Sequence, residues 1–239
     1  RTRMKGSYPL FIMSHDRENN PDYPEEYRQW YVVYLGKRFH VTRDVLIPRL
    51  ETEVLIKRAQ AILRKEREYT LLDIGTGSGI IPLSLAPSVN RMVYATDISA
   101  PALEQAKENA RLQNLVENVT FFRSDLLEEV PWEIYRKTPL LITANLPYVK
   151  AGEWEHMSPD TRYEPAIALF GWHETGFEIY ERLFEEIRER ELTDTILLIE
   201  FWHDQHKRVA SIMKKYPAWK YTFFRDYRGI ERFMEIFIP

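Results

Sequence analysis

Cysteine is absent from the 239 residues, which excludes disulfides and thiolate-bound metals and is compatible with a reducing compartment. Any excess of positive charge is missing too: 33 Lys and Arg stand against 36 Asp and Glu, for a net charge of −3. A nucleic-acid binder typically carries a basic domain or stripe, so nucleic acid is the less expected partner. No apolar run approaches the length of a membrane span, and no apolar segment of secretory type is seen. The expectation is therefore no membrane partner and a cytoplasmic location. The chain opens on Arg1, which leaves Met4 as a candidate native start. What is present is an apolar share of 44%, ordinary for a globular protein. The length suits one large domain, or one domain with an appendage.

The most informative stretch runs from Thr70 to Ile81, T-L-L-D-I-G-T-G-S-G-I-I. A short apolar run passes Asp73 and enters a turn carrying Gly75, Gly77 and Gly79. It leaves into an apolar segment with Pro82 near its start, where a helix tolerates proline. Strand, tight glycine turn and helix form the nucleotide-binding opening of an open α/β sheet. Glycine lets the backbone turn sharply and lets a ligand approach with no Cβ in the way. The spacing is G-x-G-x-G, and Ile80 stands where a dinucleotide fingerprint has its third glycine. Asp73, just ahead of the turn, would repel a pyrophosphate but suits a ligand with an ammonium and a sulfonium. That points to S-adenosylmethionine cradled by Gly75, Thr76, Gly77, Ser78 and Gly79. Without a ligand, the same stretch is a plain strand-turn-helix.

The next strand, R-M-V-Y-A-T-D, ends at Asp97. An acid at the end of the second strand, about 20 residues past the glycine loop, is the ribose-hydroxyl acceptor of Rossmann-type sites. Asp97 and the adjoining Ile98 are thus candidate cofactor contacts. Ser99 and Pro101 start a helix by N-cap and first-turn logic, with Asn114 as its end. Val119 to Arg123 is the third strand. Asp125 and Leu126 follow at its carboxyl end, where they could take an adenine amino group and cover the ring. An ordinary loop acid ahead of a core leucine is the competing reading.

The fourth strand, Pro139 to Ala144, delivers Asn145-Leu146-Pro147-Tyr148 at its tip. An amide or aromatic amino nitrogen is a poor nucleophile because its lone pair is delocalised. The Asn145 side-chain oxygen and a neighbouring backbone carbonyl can accept both of its N–H bonds, and Tyr148 can stack on the planar group. Methyl transfer is then positioning plus electrostatics and needs no metal. By itself the tetrapeptide is also good turn chemistry.

Elsewhere, residues 1 to about 28 read as a loosely structured arm, in which Tyr8 to Met13 could dock as a short strand. Trp30 to Val41 reads as a hairpin around Gly36-Lys37. A helix is expected from Glu51-Thr52-Glu53 to about Arg67, with Thr52 as its cap. Lys150 to Thr161 reads as a polar loop or lid, and its His156 as a surface residue. A helix over Phe177 to Arg190, a strand over Thr195 to Glu200 and a helix over Asp204 to Lys215 follow. Two last strands, Trp219 to Phe224 and Phe233 to Ile238, flank a turn at Gly229. Lys207, Arg208, Lys214 and Lys215 read as a solvated helix face. The domain reading is an arm and hairpin over 1–44 and a catalytic domain over 45–239. Strands alternating with helices, closed by a strand pair, give an open, mostly parallel sheet.

From about Tyr31 onward the chain resembles the protein-glutamine N5-methyltransferases of peptide-chain release factors. The resemblance is carried by V-L-I-P-R-L-E-T-E (45–53), L-L-D-I-G-T-G-S-G (71–79), A-T-D-I-S (95–99), S-D-L-L-E (124–128), N-L-P-Y-V (145–149), Y-E-P-A-I-A-L-F-G (163–171) and D-Y-R-G-I-E-R (226–232). It implies a Rossmann-like class I methyltransferase with a seven-stranded, mostly parallel sheet, helices on both faces and a short hairpin in front. It implies S-adenosylmethionine as donor, with Asn145 among its contacts, Asn145, Pro147 and Tyr148 as the catalytic group, and Asn145 to Tyr148 as the binding face for the acceptor. The acceptor would be the glutamine of a release factor's Gly-Gly-Gln loop, with the hairpin and I-P-R segment helping to wall the pocket.

The family usually reads N-P-P-Y and I-P-R-P, where this chain has Leu146 and Leu50. N-L-P-Y resembles adenine-N6 dimethyltransferases of ribosomal RNA, so an N6-adenine methyltransferase is the first alternative. The family typically carries a helical docking domain before the hairpin, where about thirty residues rich in proline and charge stand here. An accessory docking partner is therefore a further expectation, and an idle methyltransferase fold used as a binding module is the second alternative.

Overall fold

The computed structural model describes residues 20–64, 67–136, 139–171 and 174–239, with only the backbone at residue 151. The expectation for Tyr8 to Met13 lies outside the described residues. The end of the expected arm is ordered onto the body: a short helix α1 (Glu25–Gln29) buries Tyr27, whose hydroxyl donates to the Val45 carbonyl at 2.7 Å.

Strands β1 (Tyr31–Tyr34) and β2 (Lys37–His40) form an antiparallel hairpin with Tyr34 opposite Lys37. The two turn residues are therefore Leu35 and Gly36, one position earlier than the sequence suggests. Both have positive φ, 48° and 74°, because a two-residue turn of this twist needs successive left-handed residues. The hairpin does not stand apart from the body, since Tyr34 and Phe39 are buried in one cluster with Leu55, Ile56 and Leu83.

Helix α2 (Thr52–Leu63) starts without a side-chain cap. Thr52 is its first residue rather than its cap, and its hydroxyl is committed elsewhere. The helix ends four residues before Arg67, and its inward stripe is Leu55, Ile56, Ala59 and Ile62, three to four residues apart as a core-facing stripe requires.

The body is a seven-stranded sheet in the order β5-β4-β3-β6-β7-β9-β8. Its strands are β3 (Thr70–Ile74), β4 (Val93–Asp97), β5 (Val119–Arg123), β6 (Leu140–Ala144), β7 (Thr195–Glu200), β8 (Lys220–Arg225) and β9 (Glu231–Ile238). Only β9 runs against the rest. The connecting helices are α3 (Ile80–Leu85), α4 (Ala100–Leu112), α5 (Trp132–Tyr135), α6 (Ala166–Leu169), α7 (Glu178–Glu189) and α8 (His206–Met213). Ser99 caps α4 as expected, its Oγ accepting from Ala102 N at 3.3 Å. Asn114 ends it with φ 57°, a left-handed stop that asparagine tolerates.

Central strands β3 and β6 are buried at every position, as parallel strands covered on both faces must be. Their side chains alternate between two cores. Leu72, Ile74 and Ile142 face Tyr180, Leu183 and Phe184 of α7. Leu71 and Leu141 face Leu55 and Ile56 of α2. The chain passes from β3 to β4 and β5 on one side, then returns to β6 on the other. That reversal opens a crevice beyond the carboxyl ends of β3 and β6, where open α/β sheets bind ligands.

Candidate active site

The loop after β3 turns through Gly75, Gly77 and Gly79, with φ of 72°, 53° and 79°. Each lies in the left-handed region that a side chain disfavours. At Gly75 a Cβ would also sit 2.6 Å from Leu146 Cδ2, so the glycine lets the β6 tip close over the loop. Asp97, at the end of β4, accepts from Gly77 N through Oδ2 and from Ser99 N through Oδ1, both at 2.8 Å. Burial pushes its carboxyl up, and the backbone N–H groups oppose this. A second anchor is the fully buried Asn109 of α4, whose Nδ2 donates to Ser78 O (2.8 Å) and His40 O (2.9 Å). It ties the glycine loop to the end of the hairpin.

These groups border a cavity of about 360 Å³, within the range of small-molecule sites. Of the expected cofactor residues, Gly75 to Ser78, Asp97, Ile98, Asp125, Leu126 and Asn145 line it. Two lie behind the wall. Gly79 packs against α4, with Ala106 Cβ 3.1 Å from where its own Cβ would be. Asp73 is fully buried beneath the floor, and its Oδ1 accepts from Thr143 Oγ1 at 2.6 Å. Burial pushes Asp73 up to about 7, against hydrogen bonds from Thr143 and Thr76.

Leu126 has φ 53°, a strained setting for leucine worth about 1–3 kcal/mol. Ser124 Oγ holds it by donating to Leu126 O at 2.8 Å. Asp125 is paired with Arg182 of α7 at 3.1 Å. Arg182 also lines the cavity, and no motif in the sequence marks it.

A second cavity of about 290 Å³ adjoins the first. Asn145, Leu146, Pro147, Arg49 and Leu46 line both. The two spaces therefore meet at the tip of β6. Leu146 is 4% exposed, and its side chain reaches inward to Gly75. The residue that departs from N-P-P-Y thus packs under the loop while also bordering both cavities. The Tyr148 ring stands 5.8 Å from that of Trp202, and its hydroxyl donates to Glu200 Oε1 at 3.1 Å. Burial, then the Glu200 charge, holds that hydroxyl well above its ordinary range, so it stays protonated. Tyr180 OH accepts from Leu146 N (2.9 Å) and donates to Glu200 O (2.5 Å), fastening the β6 tip to the end of β7.

The wall nearest the N-terminus comes from residues 44–52, not from the hairpin strands. Arg49 pairs with the buried Glu164, which also accepts from Ile47 N at 2.9 Å. This joins I-P-R to Y-E-P across 115 residues. The expected lid is two short 3-10 helices, Ala151–His156 and Thr161–Tyr163. His156 is exposed, at the rim of the second cavity. Arg208 and Lys215, read as solvated, both pair with Glu181 of α7.

Sequence reasoning missed Thr52, Glu200 and Tyr180 as site residues. The only signal was an acid closing the apolar strand T-I-L-L-I-E. Among the described residues, no cluster of three or more His, Cys, Asp or Glu is placed to hold a metal, and no helix is long and apolar enough to cross a membrane.

Comparison with known proteins bears on the family and the fold. A family model described as a methyltransferase domain matches residues 71–162. The release factor glutamine methyltransferase of Aquifex aeolicus is 32% identical over 83% of this chain and 69% of its own length. The chain belongs to the release factor glutamine methyltransferase family. The members from Dictyoglomus turgidum and Moorella thermoacetica are 32% and 35% identical, over 90% and 88% of this chain and 74% and 73% of their own. Solved structures support the fold. The ribosomal protein L11 methylase of Lactobacillus delbrueckii subsp. bulgaricus has a TM-score of 0.57 at 19% identity, covering 83% of each chain. The hMettl16 catalytic domain in complex with MAT2A 3'UTR hairpin 6 has a TM-score of 0.66 at 14% identity, over 89% of this chain and 88% of its own.

Proposed function

We propose that this chain methylates the side-chain amide of a glutamine in the Gly-Gly-Gln loop of a peptide-chain release factor, with S-adenosylmethionine as donor. The observation that carries this reading is the meeting of the two cavities at Asn145–Pro147. One is bordered by a glycine loop and a strand-end acid, the other by Asn145 and Tyr148. Family membership supports the same acceptor.

The residues present fit the donor. Asp97 is an acceptor-only group whose oxygens each receive one backbone N–H and keep lone pairs for ribose hydroxyls. Gly75 to Ser78, Leu126 and Asp125 supply the remaining wall, and Asp73 lies buried beneath the floor. When bound, S-adenosylmethionine supplies an electrophilic methyl group. The chain's own part is to hold the acceptor nitrogen. Asn145 Oδ1 accepts one N–H and the Leu146 carbonyl the other, Pro147 stiffens the turn, and Tyr148 stacks on the amide plane. The two acceptors favour positive charge developing on nitrogen, and fixing the pair replaces a bimolecular encounter.

A catalytic body over 45–239, onto which the hairpin of the 1–44 segment packs, and a cytoplasmic setting belong to the same reading. The curated relatives, named release factor glutamine methyltransferases, favour the glutamine acceptor over adenine. The test is methyl transfer from labelled S-adenosylmethionine to a release factor and, in parallel, to unmodified ribosomal RNA, with mass mapping of the product. Label on the Gly-Gly-Gln glutamine is expected. Label on an adenine, or on neither, overturns the reading.

A further inference from the structure

Asn145 offers its acceptor either an oxygen or an NH2, and only the oxygen can receive an N–H. Its own neighbours decide which. Thr52 Oγ1 lies 2.9 Å from Glu200 Oε2. An ionised carboxylate only accepts, so the single hydroxyl proton of Thr52 is spent there. The Thr52 oxygen can then only accept, and Asn145 Nδ2 sits 3.2 Å from it. With Nδ2 held inward, Oδ1 faces the rim shared by the two cavities. Glu200 is itself fully buried, at the end of β7, and lines neither cavity.

We propose that Glu200, acting through Thr52, sets the orientation of the Asn145 amide, so that Oδ1 and not Nδ2 meets the substrate nitrogen. The inference rests on the function proposed above and makes Thr52 and Glu200 positioning residues. Several groups face Glu200. Thr52 approaches from α2 and Tyr148 from the loop after β6. Arg232 on β9 favours its charge, and Glu51 opposes it. Tyr34 of β1 is close enough to feel that charge, and Tyr180 of α7 binds its backbone carbonyl. Burial outweighs the favourable contacts and pushes Glu200 up to about 7. Once protonated it can donate to Thr52. The Thr52 proton is then free to turn toward Asn145 and draw Oδ1 inward. Transfer should therefore fall as pH drops through about 7.

The experiment compares wild type with Thr52→Val, Thr52→Ser and Glu200→Gln, using the full chain, labelled S-adenosylmethionine and a release factor. Thr52→Val and Glu200→Gln should lower kcat about 10- to 100-fold, leave KM for the release factor nearly unchanged and lose the acidic limb of the pH profile. Thr52→Ser should restore both rate and limb. Retention of wild-type rate and limb by Thr52→Val overturns the proposal. If these variants fold poorly, the side-chain NH2 signals of Asn145 in wild type, followed by NMR, still decide it. A shift between pH 6 and 8 is expected, and signals that do not respond overturn it. The NMR readout needs no acceptor, so it separates failure of the relay from failure of the release-factor reading.

Discussion

Asp97 Oδ2 accepts the Gly77 backbone N–H at 2.8 Å, across the carboxyl ends of two adjacent parallel strands. One carboxylate thus shapes the glycine loop and presents its remaining lone pairs to the cavity. Asp97→Ala should weaken S-adenosylmethionine binding by about 10- to 100-fold, since a hydrogen bond to a charged group contributes about 1.5–3 kcal/mol. Calorimetric titration checks this, and unchanged affinity would remove Asp97 from the donor site.

Asn145→Ala separates holding the donor from holding the acceptor. Loss of a group that stabilises developing charge lowers kcat by about 100-fold or more. Cofactor affinity should stay close to wild type, because Asp97 and the glycine loop are untouched. A retained turnover, measured with labelled donor, would sink the acceptor role.

Arg49 and Glu164 brace the wall common to both cavities. Glu164 is 4% exposed, and Arg49→Ala leaves it with the Ile47 N–H but no counter-charge. Removing one partner of a buried pair destabilises by about 3–5 kcal/mol, and the Arg49 side chain, 31% exposed, puts this case at the low end. Urea unfolding should show the loss, with a raised KM for the acceptor. A double variant, Arg49→Met with Glu164→Gln, should recover most of the stability.

Stability and activity should respond to pH in opposite directions. Burial raises Asp73 from 3.8 and Glu200 from 4.5, each to about 7. Between the unfolded and folded values the folded chain holds more protons, so this contribution is complete below about pH 4 and disappears as pH rises through 7. Asp73→Asn should flatten the slope of urea midpoint against pH between 5 and 8. Parallel curves for variant and wild type would refute the assignment.

Much of this was legible in the residues. G-T-G-S-G after an apolar run, Asp97 after the next strand and N-L-P-Y after the fourth fall where sequence period and glycine chemistry put them. Ser99 and Asn114 begin and end α4 by local rules alone. Thr52 was misjudged by the same rules. A threonine at a helix start is ordinarily a cap, but here the Glu200 carboxylate, 148 residues away, takes its proton. The turn at Leu35-Gly36 was one residue off because strand twist, not the glycine alone, selects the pair.

The strands themselves, the glycine loop and the N-L-P-Y turn were determined by the sequence itself, because each depends on neighbours within a few residues. Tertiary structure alone decided that Asp73 lies under the floor, that Leu146 turns inward onto Gly75, and that Arg49 meets Glu164. It also brought Glu200, Thr52 and Asn145 into one line. Those contacts join residues 70 to 148 positions apart, and only the packing of β3, β6 and β7 with the segments on either side of them brings them together.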